Sequence, residues 1–340
     1  MVITAGMVKE LREMTGAGMM DCKKALSETN GDMDAAVEFL RKNGQAKAEK
    51  KAGRIAAEGI VKTVVKDNKA AIVEVNSETD FVAKNDEFQG FVETVVNQIV
   101  DSEAADMDAF MAEAWAADTT KTVKDALVEK IAVIGENLNI RRFEKVAADN
   151  GCVVSYIHGG GRIGVLVVAD TDVVNDDIKA CLKNVAMQVA AMRPVALDES
   201  SVSEETKKSE LEVAVAKTKE ELVEKAVNAA LKKAGINPAH VDSEEHIESN
   251  TKKGWLTPEQ AEEARNIKKT VGEEKAATLN PTMIQNIANG RLAKFFKENC
   301  LVDQEFQFGD GDKQTVAQYL ASQSKDLKIV AYQRFTLAAE

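Results

Sequence analysis

A chain of 340 residues has room for one to three domains, and 56 acidic against 44 basic side chains leave it a formal net charge of −12. That balance argues against a bulk nucleic-acid binder, which presents a basic face, and against an anionic membrane surface as partner. Four scattered cysteines (Cys22, Cys152, Cys181, Cys300) suit a reducing compartment and suggest neither a disulfide framework nor a zinc site; no apolar run approaches the ~20 residues of a membrane span, and the first residues lack the basic-then-apolar order of a secretory signal, so a soluble, cytoplasmic protein is expected.

Residues 4 to 43 read as three short helices. Thr4 can cap the first, with Val8, Leu11 and Met14 on one side, and Thr15-Gly-Ala-Gly18 breaks it. Residues 19 to 28 form the second, burying Ala25 and Leu26. Asp32 can cap the third, whose inward face is Ala36, Val37 and Leu40 and which Gly44 is expected to end. This gives a small three-helix domain at 1–44, whose slight core is best kept by docking on something or by a tether to a larger body, then an Ala- and Lys-rich linker, open to a helical form, at 45–58.

A strand at 71–75 follows, then a polar turn, then a helix with Phe88, Phe91, Val92, Val95, Val96 and Ile99 on one face. Asn85 and Asp86 are its capping candidates. The turn carries one large aromatic residue, Phe81, just after Asp80. Such a residue either folds back as a staple under the helix or stands out as an anchor for a partner's pocket. After the helix, residues 101 to 130 read as an acidic helical excursion containing Phe110, Met111 and Trp115, and 137 to 143 as a returning strand.

A faint internal repeat bears on Phe81. Thr79-Asp80 matches Thr171-Asp172 at an offset of 92, Asn85-Asp86 matches Asn175-Asp176 at 90, and the helix positions follow at 90. Each copy opens with a glycine, Gly59 or Gly151, and a hairpin. Arg142-Phe143 pairs with Arg334-Phe335 at 192 in the closing strands. The first copy (59–147) therefore carries two extra residues around Phe81, a local elaboration that favours the anchor. The second (148–202 plus 298–340) is interrupted by an insertion at 203–297. There, 204 to 234 is helical with Leu211, Val215, Leu222, Ala226 and Ala229 on one side. Thr257-Pro258-Glu-Gln260 starts another helix with a capping box and a proline at its first position, and Asn280-Pro281 starts a third. A projecting helical hairpin arm is expected, with 237 to 255 unplaced. The fold class is α+β.

No catalytic constellation emerges, so no enzyme, metal or cofactor is called for. His240 and His246 lie in the polar arm. His158 precedes Gly159-Gly-Gly161 in a turn joining two strands, which has neither the Lys-Ser/Thr of a P-loop nor the spacing of a dinucleotide site; a tight hairpin is the reading, with His158 exposed at its tip.

Residues 7 to 26, Met-Val-Lys-Glu-Leu-Arg-Glu-Met-Thr-Gly-Ala-Gly-Met-Met-Asp-Cys-Lys-Lys-Ala-Leu, closely resemble the N-terminal signature of the bacterial elongation factor Ts family, and Glu78-Thr-Asp-Phe-Val-Ala-Lys84 resembles its second signature. His158-Gly-Gly-Gly-Arg-Ile-Gly-Val-Leu166 and 137 to 143 resemble two further shared segments. The resemblance implies a ubiquitin-associated-like first domain, a duplicated antiparallel-sheet-plus-helices core, and a guanine-nucleotide exchange factor for the GTPase elongation factor Tu. It places the exchange loop at Thr79, Asp80, Phe81 and Val82, which would perturb the Mg²⁺ and phosphate site of the GTPase. It places further partner contacts at Lys9, Arg12, Met19, Met20, Lys23 and His158. Two adjacent methionines cannot both face a three-helix core, so at least one is free for a partner. The resemblance calls for no direct nucleic-acid contact; in some members the arm pairs two copies, giving a homodimer of 2:2 complexes. The competing reading is a passive adaptor or chaperone that binds a GTPase without altering its nucleotide affinity.

Overall fold

The computed structural model describes residues 2–309 and 313–337. The chain forms two compact units, Met1–Arg193 with Glu305–Glu340, and Pro194–Gln304. The first opens with α1 (Ala5–Thr15), α2 (Met19–Glu28) and α3 (Met33–Lys51). Thr4 accepts from Met7 N at 3.3 Å and Asp32 from Ala35 N at 2.9 Å, so both caps form as read. Val8, Leu11, Cys22, Ala25, Leu26 and Ala36 make the small core. Leu11 is the last α1 side chain to reach it, and Met14, in the final turn, is exposed. Gly44 does not end α3, which runs on to Lys51. A glycine inside a helix costs about 1 kcal/mol relative to alanine. Here its missing Cβ lets another helix approach: a Cβ on Gly44 would stand 3.5 Å from that of Ala132.

The first copy of the core contains β1 (Glu58–Lys66), β2 (Lys69–Ser77), α4 (Asp80–Ala83), α5 (Asp86–Asp101), α6 (Met107–Ala112), β3 (Ala114–Trp115), β4 (Asp118–Thr122), α7 (Val123–Ile134) and β5 (Asn139–Ala147). Residues 101 to 130 are thus not one helical excursion. A short ribbon, β3–β4, interrupts it, because Asp118 accepts from Thr120 N at 3.1 Å and turns the chain, and Thr122 with Asp125 starts α7 afresh in a capping box. The ribbon lays Trp115 against Phe91, 5.5 Å between ring centres. The second copy supplies β6 (Gly151–His158), β7 (Ile163–Asp170) and α8 (Asp176–Met192).

The second unit contains α9 (Glu204–Lys233), α10 (Glu244–Lys252), α11 (Pro258–Ala277) and α12 (Pro281–Asn299). Helix α9 is one limb of a hairpin; α11 and α12 both pack on it and form the other, broken before Pro281. The buried line on α9 is Ala214, Thr218, Val227 and Leu231, rotated from the predicted stripe. Thr218 can be buried because its hydroxyl bonds the Ala214 carbonyl at 2.7 Å. The segment that periodicity left unplaced folds as a turn and α10, whose Val241 and Ile247 join Leu231, Ile236, Leu256, Ala261 and Ala264 in a small core.

The chain re-enters the first unit with α13 (Val316–Gln323) and β8 (Lys328–Thr336). Two three-stranded antiparallel sheets result, ordered β1-β2-β5 and β6-β7-β8. Strand alternation sends Ala71, Val73 and Val75 toward Phe88, Val92 and Ile99, and sends Ile72 toward Leu166, Val168 and Phe335 of the other sheet. Helix α8 covers β6 and β7. The order of layers is helices, sheet, sheet, helices.

Backbone pairing corrects the repeat. Gly59 faces Asn76 and Gly151 faces Asp170, so the second strands correspond at an offset of 94 (170 − 76). Both glycines are required: their φ values are +132° and +119°, and a Cβ would strike the carbonyl oxygens of Val75 and Ala169. Ser77 donates to Thr79 O (3.0 Å) as Thr171 does to Val173 O (3.3 Å), making Ser77, not Thr79, the counterpart of Thr171. Asn85 and Asn175 cap α5 and α8 at the predicted offset of 90. The first copy therefore has four extra residues rather than two (94 − 90), enough for the helical turn α4. In the closing strands Arg142 faces Glu74 and Ala331 faces Val168, an offset of 189 (331 − 142) that replaces the expected 192.

Charged side chains meet between the sheets. Glu74 is fully buried and accepts from Arg142 Nε at 2.7 Å, Arg141 at 3.3 Å and Asn76 Nδ2 at 3.0 Å. The Arg142 guanidinium also sits 4.3 Å over the Phe335 ring and donates to Thr336 O at 3.1 Å, tying β5 to β8.

Candidate functional site

Helix α4 is a single turn directly after β2. An isolated turn of this length is unstable, since nucleation orders several residues for one hydrogen bond. Three features hold it. The Thr79 hydroxyl accepts from Val82 N at 3.3 Å as its cap. Val82 packs on the core and Ala83 is buried in it. The third is Glu136, just after α7. Its Oε2 accepts from Glu78 N and Thr79 N, both at 3.1 Å, and its Oε1 from the Thr79 hydroxyl at 2.7 Å. Glu78 reciprocates, accepting from Asn137 N at 2.6 Å.

With Val82 and Ala83 turned inward, Phe81 points out. It is 82% exposed, so it is not a staple under α5. A lone exposed hydrophobic residue is ordinary on a protein surface. A phenylalanine is less so at the crest of a turn this tightly laced, because leaving one in water forgoes roughly 2 kcal/mol. Asp80, partly exposed, pairs with Lys84 at 2.7 Å, and that hydrogen bond and charge hold its carboxyl below the usual range.

The β6–β7 hairpin reaches the same end of the sheets. Val61 N donates to Gly161 O at 2.7 Å, and Arg162 lies 3.8 Å from Glu58, which faces Ser77 across the sheet. Gly159, Gly160 and Gly161 have φ of +60°, +67° and +99°, the tight turn that the sequence predicts. His158 is exposed at this tip, its Nδ1 2.9 Å from the Tyr156 hydroxyl. Lys9, Arg12, Met19, Met20 and Lys23 all stand exposed on α1 and α2; both methionines face outward, where the sequence required only one.

Among the described residues no group of three or more His, Cys, Asp or Glu is arranged to hold a metal ion, and no helix is long and apolar enough to cross a membrane. The four cysteines are buried and free; burial and neighbouring carboxylates push the Cys300 thiol up to about 11. His246 pairs with Asp242 at 2.5 Å and His240 lies against the Trp255 ring.

Sequence reasoning missed Glu136. Its one signal is the second copy, where Asp326, also just before the closing strand, accepts from Asp172 N at 2.7 Å, from the Thr171 hydroxyl at 3.1 Å, and from the Ser324 hydroxyl. These bonds, that to Ser324 foremost, lower the Asp326 carboxyl to about 2. A carboxyl depressed in the folded state contributes stability that is present above its unfolded value of about 3.9 and lost as pH falls through the folded value. Denaturant midpoints measured between pH 4 and pH 2 are therefore expected to fall less steeply in Asp326→Asn than in the wild type. Equal slopes would show that the clamp is not coupled to folding.

The profile of the family described as Elongation factor TS matches residues 78–234 and 223–339. The chain is 45% identical over 341 residues to a protein named Elongation factor Ts from Phocaeicola vulgatus, and 45% identical over 340 residues to one of that name from Bacteroides thetaiotaomicron; each alignment spans 100% of both chains. A third of that name, from Clostridium novyi, is 52% identical over 239 residues, 68% of this chain and 78% of the relative. The two full-length matches run through the insertion as well as the core.

Proposed function

The chain belongs to the elongation factor Ts family, with a role in translation elongation, and on that basis we propose that it is the guanine-nucleotide exchange factor of elongation factor Tu, acting through the turn Thr79–Val82. The observation that carries the reading is Phe81, a large apolar side chain presented to solvent by a turn that its own fold holds still. Such a residue enters a partner with little ordering left to do. The nucleotide of a GTPase is gripped partly through Mg²⁺ bridging its phosphates to the protein. Mg²⁺ demands near-ideal octahedral geometry, so a wedge that shifts the surrounding loops weakens the whole grip. Phe81 is the wedge, Asp80 disturbs the region that positions the ion, and Thr79 and Val82 shape the turn.

The three-helix segment α1–α3 docks on the nucleotide-binding part of the GTPase through Lys9, Arg12, Met19, Met20 and Lys23. The His158 hairpin makes a further contact from the same end of the core as Phe81. Linkage limits the mechanism: a factor that weakens nucleotide binding by some ratio is itself weakened by nucleotide in the same ratio. The complex is therefore transient, either GDP or GTP displaces the factor, and the net direction of exchange follows their concentrations.

The test is release of labelled GDP from elongation factor Tu. The protein is expected to accelerate it, and excess Mg²⁺ to blunt the acceleration. Binding that leaves GDP release unchanged would select the passive adaptor instead.

A further inference from the structure

We infer that Glu136 is the positioning residue of the exchange turn: its carboxylate, by holding the backbone N–H groups of Glu78 and Thr79 and the Thr79 hydroxyl, sets the direction in which Phe81 is presented. The inference rests on the exchange reading above and adds to it a residue outside the loop itself.

The geometry is specific. Glu136 follows Gly135, whose φ of +87° ends α7 and turns the chain toward β2. Both carboxylate oxygens are used, one on two consecutive amides and the other on the hydroxyl that caps α4. Fixing that hydroxyl fixes the acceptor for Val82 N, and so the first turn of the helix. Return bonds lock the same junction. Glu78 accepts from Asn137 N, and Asn137 Nδ2 donates to Arg54 O at 2.8 Å, so the root of the turn is laced to α7 and to the segment after α3. Remove the carboxylate and α4 retains its contacts through Val82 and Ala83, but its N-terminal side loses its acceptor. Phe81 would then be presented over a range of directions, and the loss would fall on the wedging step more than on docking, which has other contacts.

The second copy supplies an internal control. Asp326 likewise takes the amide of Asp172, the counterpart of Glu78, but its hydroxyl donor is Thr171, the counterpart of Ser77, and the residues that follow reach Asn175 without a helical turn or an aromatic residue. The clamp as such therefore belongs to the repeat; what differs is what it holds. A purely structural Glu136 should behave like Asp326. A positioning Glu136 should not.

The experiment compares the full-length wild type with Glu136→Ala, Glu136→Gln, Asp326→Asn and Phe81→Ala. It reads the maximal rate of stimulated GDP release, the concentration giving half of it, thermal melting, and amide exchange at Glu78 and Thr79. Glu136→Ala is expected to lower the maximal rate about tenfold, to change the half-maximal concentration by less than about threefold, and to lose protection at both amides. Glu136→Gln keeps one acceptor oxygen and should fall between it and the wild type. Asp326→Asn should melt earlier and exchange nucleotide normally. Glu136→Ala that keeps the wild-type maximal rate while Phe81→Ala is inactive would overturn the positioning role alone. So would Glu136→Ala and Asp326→Asn losing exchange in proportion to their melting. Wild-type protein that does not speed GDP release would sink the exchange reading, and this inference with it.

Discussion

Phe81→Ala is expected to remove most of the stimulated GDP release while leaving the protein as stable as before. Both halves follow from the same exposure. With 82% of Phe81 in water, its ring contributes almost nothing to the chain's own core, and a substitution at such a position normally changes stability by less than about 0.5 kcal/mol. Alanine is also the better helix former, so α4 should persist. The loss appears only in the complex. Truncating a central aromatic anchor typically removes about 2 to 4 kcal/mol of interaction. At about 1.4 kcal/mol per factor of ten, that is a fall of roughly thirtyfold to several hundredfold. The checks are nucleotide release from elongation factor Tu and a melting curve of the free protein. Full activity in this variant would refute the wedge; loss of activity together with a large fall in melting temperature would mean that the ring supports its own subunit.

Arg142→Ala is expected to be among the most destabilising substitutions in the core. Glu74 is fully buried between the sheets and is shared by two arginines, of which Arg142 makes the shorter bond. Removing one partner of a buried ion pair costs about 3 to 5 kcal/mol, because a desolvated charge is left behind. Arg142 is itself partly exposed and Arg141 remains, so water and the second arginine offset part of this, and about 3 kcal/mol is the expected loss. The stacking on Phe335 and the bond to Thr336 O disappear together with it. For a unit of this size the melting temperature should fall by roughly 6 to 12 °C. Arg142→Lys should recover only part, since an ammonium neither forks onto the carboxylate nor stacks on the ring. A loss below about 1 kcal/mol would show that this pair does not hold the sheets together.

Much of the local structure was legible in the sequence. Thr4, Asp32, Asn85 and the Thr257–Gln260 box cap the helices that the sequence assigns them, because a cap is a bond between residues two or three apart. The stripe from Phe88 to Ile99 is the buried face of α5 for the same reason of spacing. Gly44 shows the limit. In sequence it is a helix stop; in the fold it is a close approach to α7, which depends on a helix about ninety residues further along. Periodicity does not give the buried line of α9, because the side that is covered depends on where α11 and α12 dock.

At the candidate site the division is the same. By itself the sequence determined that a turn with an aromatic residue lies between β2 and α5, that a second copy of the core lacks it, and that several signatures of one family occur in order. The packed fold alone turns Phe81 toward water, makes the turn four residues longer than its counterpart, and gives it Glu136 as its holder. A carboxylate bound to backbone N–H groups more than fifty residues away leaves no periodicity to read, and strand register is written in main-chain hydrogen bonds that every residue type except proline can make.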